Sequence, residues 1–276
     1  MKSGKNKLIK YIVSGTVILF IILIIYSFLS HKLVMMGQKN KLYYTGITEL
    51  DLRKNRLSKN EENKLRYFTK LKHLDIRLNE IDSVDFVEYM PELERFELMG
   101  SHFFQSANDI PLDYRPLVKL KELKSLCIVD NTNNDLSFLN ELTSLEYFQI
   151  IGRELSKEMT DCIISLKNLK ELSIFDASFE STVFLKELKA LKSITLCDCN
   201  IENLDVSDLT SISELEEVSV LGTHIDHIEK LAQSESLKLI RIGNEKYDEN
   251  ELKPLYDKGI EVRDSVGDIQ LKYSED

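Results

Sequence analysis

The sequence predicts an α/β solenoid: an elongated stack of similar coils with a parallel sheet along one side. Three observations predict it. One stretch, Phe184-Leu185-x-x-Leu188-x-x-Leu191-x-x-Ile194-x-Leu196, places apolar residues every third position and then, at its end, two apart. A spacing of three suits neither a straight α-helix nor a strand, whereas a spacing of two marks a short strand that buries alternate residues. The stretch recurs, and its recurrences are evenly spaced. A coil of this kind cannot cover its own apolar edges, so it must stack on copies of itself.

The copies align on apolar-x-x-apolar-x-apolar. They begin with Ile47/Leu50/Leu52, Leu71/Leu74/Ile76, Leu93/Phe96/Leu98 and Leu123/Leu126/Ile128. They continue through Leu145/Phe148/Ile150, Leu169/Leu172/Ile174, Leu191/Ile194/Leu196, Leu215/Val218/Val220 and Leu237/Ile240/Ile242. Successive starts lie 24, 22, 30, 22, 24, 22, 24 and 22 residues apart. Triplets with this period resemble the leucine-rich repeat family, L-x-x-L-x-L-x-x-N/C-x-L, in the short-repeat form of bacterial internalin-like surface proteins. The resemblance runs over roughly residues 42 to 265. It implies a horseshoe whose concave face is a parallel sheet of about nine to ten strands.

The family's Asn position is Asn55, Asn79 and Asn131 in three copies, and elsewhere Ser101, Arg153, Ala177, Cys199, Thr223 and Glu245. Ser, Thr and Cys can still satisfy backbone groups there and Ala177 cannot, so a looser descending side is expected in the second half.

Along the chain, residues 1–10 carry Lys2, Lys5, Lys7 and Lys10 and read as a cytoplasmic tail. Residues 11–30 hold an uncharged run from Tyr11 to Leu29. That run is close to the ~20 residues that cross a bilayer as a helix. A cleaved signal peptide is the competing reading, but its apolar core is usually shorter and Tyr26-Ser27-Phe28-Leu29-Ser30 is a poor cleavage site. No Cys follows the run, as a lipoprotein anchor would require. The lysines ahead of it favour an outward-facing repeat domain at the plasma membrane, single-pass, with the bilayer contacted through residues 11–30. Residues 31–46 then form a tether and N-terminal cap, with Leu42-Tyr43-Tyr44 over the first coil. The repeats occupy 47–258, and 259–276 supply an edge strand and tail. Within the last repeat, Glu249 to Lys258 reads as a short helix interrupted by Pro254, stopped by Gly259.

Strand alternation sends the neighbours of each strand's second core residue to the concave face. In the first two coils these are Asp51, Arg53, Asp75 and Arg77, which reads as exposed cross-strand ion pairs of little worth. Further on, an apolar stripe of Met99, Val129, Ile151, Phe175, Cys197 and Leu221 runs beside an uncharged line that includes Gln149. Side chains packing sideways on one another would explain the stripe, and so would a protein or peptide ligand. No charge interrupts the stripe, which favours the ligand, with Phe175, Ile151 and Leu221 as anchors and Gln149, Tyr147 and Arg241 as polar neighbours. The one long spacing, residues 101–116, is either an extended convex connection with Phe103 in the core or a binding loop that carries Phe104 and Tyr114.

Net charge is −10, and setting aside the first four lysines leaves 32 basic against 46 acidic residues, which excludes nucleic acid as the expected partner. Cys127, Cys162, Cys197 and Cys199 form no disulfide framework. No cofactor or metal site is expected: His224-Ile225-Asp226-His227-Ile228-Glu229 reads as a solvated loop, and no phosphate loop, zinc helix or nucleophile elbow is present. No pair of carboxylates is set in one closed cleft, so the chain is expected not to be an enzyme. The expectation is a membrane-anchored binding module. The alternative is a cytoplasmic-side adaptor that regulates an enzyme such as a phosphatase.

Overall fold

A computed structural model describes residues 2–79, 81–99, 112–130, 135–152, 154–243 and 247–264, with the side chains of the first helix described from Thr16 onward. The chain opens with helix α1 (Lys2–Leu29), then a hairpin of β1 (Leu33–Met36) and β2 (Lys41–Tyr44). Strands β3 (Glu49–Asp51), β4 (His73–Asp75), β5 (Arg95–Glu97), β6 (Ser125–Asp130), β7 (Tyr147–Gly152) and β8 (Glu171–Phe175) follow. The chain continues through β9 (Ser178–Ser181), β10 (Ser193–Cys197), β11 (Asn200–Asn203), β12 (Glu217–Leu221), β13 (Leu239–Ile242) and β14 (Glu261–Asp264). Ten of these form one sheet in the order β14-β13-β12-β10-β8-β7-β6-β5-β4-β3, every neighbouring pair parallel.

Each coil explains its own spacing. The residues three apart ahead of a strand are joined by i→i+3 backbone bonds: Leu188 N donates to Leu185 O at 3.0 Å, and Leu191 N to Leu188 O at 3.1 Å. Such turns have three residues per revolution, so one side chain in three faces inward. The convex side is accordingly built of short 3-10 helices, among them Asp85–Tyr89, Ser137–Glu141 and Val183–Glu187. The sixth coil uses an α-helix instead, Lys157–Ile164, whose N-cap Ser156 accepts a bond from Met159 N. Strand residues two apart, such as Leu172 and Ile174, complete the core at 0% exposure.

The chain leaves several strands through a residue with positive φ, among them Leu78, Asp176, Asp198 and Gly222. The next residue is buried in each case: Asn79, Ala177, Cys199 and Thr223. Gly222 sits at φ +62, a conformation that strains most side chains, and a Cβ there would lie 2.1 Å from an Asp198 carboxylate oxygen, which would have to move.

The descending side of the second half is not looser. Thr223 Oγ1 accepts from Cys199 N at 2.9 Å, and Cys199 Sγ donates to Ile174 O at 3.4 Å. Beside Ala177 the backbone makes its own ladder: β9 and β11 pair in parallel, and Asn200 N donates to Ala177 O at 2.9 Å.

At the N-terminal end, the hairpin covers the first coil with Val34 and Met36, 5% and 0% exposed, while Tyr43 packs against the core and Leu42 and Tyr44 stay exposed. At the other end helix Glu249–Lys258 runs through Pro254 without interruption and stops at Gly259, φ +83. Ile260 is buried and β14 adds to the sheet edge.

The expected membrane span is corrected. Among the described residues no helix is long and apolar enough to cross a membrane. The single-pass plasma-membrane placement, with bilayer contact through residues 11–30, is overturned on that finding.

Candidate functional site: the concave face

Three columns of side chains line the inside of the curve, set by the strand register. The outer column is the first residue of each strand, from His73 and Arg95 to Tyr147, Glu171 and Glu217. The middle column includes Asp75, Glu97, Cys127, Gln149, Ser173, Thr195, Ser219 and Arg241. The third is the apolar stripe. Sequence reasoning found the second and third columns. It missed most of the first, because the strands begin one residue earlier than the alternation was started.

At the N-terminal end the charges form one network. Arg53 contacts Asp51 at 2.8 Å and Asp75 at 3.3 Å, and Arg77 contacts Asp75 at 2.6 Å and Glu97 at 2.8 Å. Arg95 also holds Glu97, and His73 Nε2 lies 3.6 Å from the same carboxylate. The expected exposed pairs are therefore corrected: Asp75, Arg77 and Glu97 are 4%, 8% and 4% exposed. Burial pushes the Glu97 carboxyl up, and His73, Arg77 and Arg95 more than reverse it, leaving its pKa at about 2.

Beyond the network the face opens into a groove of about 700 Å³ that runs from Arg77 and Arg95 to Arg241. Its floor is made of small side chains: Ser125, Cys127, Ser173, Ser193 and Thr195. Larger groups stand over it. Tyr147 donates its hydroxyl hydrogen to Gln149 Oε1 at 2.6 Å, and Arg241 meets Glu217 at 2.9 Å. Phe175 contributes the aromatic surface. Buried Cys127 is an inert part of the floor: desolvation first, then the neighbouring Glu97, pushes its thiol up to about 12.

The predicted residues divide in two. Phe175 lines the groove half-buried, and Gln149 lies in its floor at 1% exposure under Tyr147. Met99, Cys197 and Leu221 are half-buried beside it, whereas Val129 and Ile151 are closed off at 7% and 4% exposure. On adjacent strands Val129 sits beside Ile151 and Ile151 beside Phe175, and bulky neighbours of this kind shield one another. The continuous open stripe is thus corrected to a polar groove with a partly buried apolar border. Tyr114 is also corrected as a loop contact. It is 3% exposed, its hydroxyl donates to Val129 O at 2.8 Å, and its ring packs on Phe138. Phe104 lies outside the described residues.

On the rim, His224 stacks on Tyr247 at 5.6 Å and pairs with Asp226, while His227 pairs with Glu229. Among the described residues no group of three or more His, Cys, Asp or Glu side chains could hold a metal ion.

No family model and no curated protein matches the chain. Solved structures do. An internalin, InlF, from Listeria monocytogenes superposes with a TM-score of 0.56 at 19% identity, over 82% of this chain and 70% of that one. Internalin C2 from the same organism gives 0.55 at 18%, over 74% and 85%. The fold is a leucine-rich repeat solenoid. At these identities the likeness establishes the architecture, and the chemistry of the concave face is this chain's own.

Proposed function

We propose that this chain is a non-catalytic interaction module that seats a protein or peptide along its concave groove. The observation that carries the reading is the groove itself: a trough of small polar side chains on a rigid parallel sheet, bounded by Tyr147, Phe175 and Arg241. An extended segment laid across it finds hydroxyl partners from Ser193 and Thr195, and an apolar surface in Phe175 with Leu221, Met99 and Cys197 at the border. Val129 and Ile151 support that border from behind. The shared solenoid of the internalin structures agrees with an interaction role. Reactive groups point the same way. Glu97 and Glu217 are held by arginines at the ends of the groove, and the floor thiol is buried.

The test is capture of a partner by the full chain from its native source, followed by mass spectrometry. Phe175→Asp adds a charge at a half-buried surface position and should fold normally by circular dichroism while capture falls at least about tenfold, the loss expected when an aromatic anchor is removed. Undiminished capture by the folded variant would refute the groove reading.

A further inference from the structure

We infer that four lysines on one rim, Lys167, Lys170, Lys189 and Lys192, dock an acidic segment of the partner protein that the groove seats. This rests on the groove reading and adds the partner's charge.

The residue just before each strand belongs to a main-chain ladder that climbs the rim. Glu94 N donates to Lys72 O at 2.8 Å, Lys170 N to Glu146 O at 2.8 Å, Lys192 N to Lys170 O at 2.7 Å and Glu216 N to Lys192 O at 2.8 Å. The side chains along it alternate in sign through Lys72, Glu94, Lys124, Glu146 and Lys170. Lys192 then repeats the positive charge before Glu216 and Lys238 restore the alternation. Neighbouring rungs of opposite sign pair: Lys72 with Glu94 at 2.8 Å, Lys170 with Glu146 at 2.6 Å and Lys238 with Glu216 at 2.8 Å. Among the described residues Lys192 has no ion pair.

The same two coils double the charge. Leu166-Lys167-Asn168-Leu169-Lys170 and Leu188-Lys189-Ala190-Leu191-Lys192 are consecutive, so Lys167 and Lys189 stack one coil apart as Lys170 and Lys192 do. All four are exposed. Coils stand about 4.8 Å apart, and like charges on adjacent rungs repel. The array is thus an electrostatic cost that an external anion removes. Of the acids on the ladder, Glu146 serves Lys170 and Glu216 serves Lys238, although Lys192 also bears on the Glu216 carboxyl.

Lysine ammonium groups are compact charges with rotatable donors, suited to the carboxylates of an Asp- or Glu-rich segment. A nucleic acid fits less well, because a long polyanion meets a chain of net charge −10 on either side of a patch only two coils wide. Lys170 and Lys192 directly precede Glu171 and Ser193, which line the groove, so one extended partner reaches both surfaces.

The experiment titrates a fluorescently labelled oligoglutamate peptide against the full chain at low ionic strength, read by anisotropy. Binding is expected to weaken with added salt, as contacts between exposed charges do. It should fall about tenfold or more in Lys189→Glu/Lys192→Glu, and by less than about twofold in Lys238→Glu, whose charge is already paired. The proposal is overturned if the double variant binds the peptide as the parent does, if the parent does not bind it, or if oligothymidylate of equal charge binds as tightly. The titration does not depend on partner capture. Failure of the groove reading appears as full capture by Phe175→Asp, while failure of the rim proposal appears in the peptide titration alone.

Discussion

Glu97 shows what the concave face demands of a single residue. Its carboxylate is 4% exposed and stays charged because Arg77, Arg95 and His73 surround it. Its folded pKa, about 2, lies below the ordinary 4.5, so the stabilisation it gives is complete above that value and is lost as pH falls toward about 2. Urea unfolding across this range should show stability declining with acid. Glu97→Gln should flatten that limb and cost about 3 kcal/mol near neutrality, since it leaves two arginines short of a buried partner. An unchanged acid limb would remove Glu97 as its cause. The sequence held this network only in outline. Asp75 and Arg77 were legible as a facing pair, but their burial depends on Arg95 and Glu97 of the next coil, which alternation within one strand does not reveal.

The single coil is the element on which the fold rests, and its apolar rhythm was fully legible. Spacing of three followed by spacing of two became 3-10 turns followed by a strand. Leu172→Asp, which places a charge where exposure is 0%, should unfold the domain because adjacent coils share one core. Retained far-ultraviolet dichroism and a cooperative melt in that variant would contradict the stacked arrangement. The Asn position was legible only in part. Asn79 donates to Leu52 O at 2.8 Å and Ile76 O at 2.9 Å and accepts from Leu57 N at 3.1 Å, so Asn79→Ala should cost about 2 kcal/mol in chemical denaturation. A cost near zero would mean water replaces those bonds. Ala177 seemed to forfeit such bonding, yet the β9–β11 ladder supplies it from the main chain. That ladder depends on the register of two neighbouring coils, and no side chain announces it.

At the scale of the whole molecule, one long sheet turns weak local features into a continuous surface. Small side chains on successive strands make a groove only because the coils stay in register from β5 to β13. The sequence disclosed the columns but not their openness: side chains that looked like a bare apolar stripe partly cover one another, and the polar column beside them forms the trough. The uncharged run at the N-terminus suggested a membrane span, an inference from composition that the described residues do not sustain. The most direct measurement places a photoreactive amino acid at Ser193, on the groove floor, or at exposed Glu187 on the convex side, and irradiates each full chain with its native source. Crosslinking of a discrete protein from position 193 and not from 187 is the predicted result. Equal or exclusive crosslinking from 187 would contradict a concave binding face.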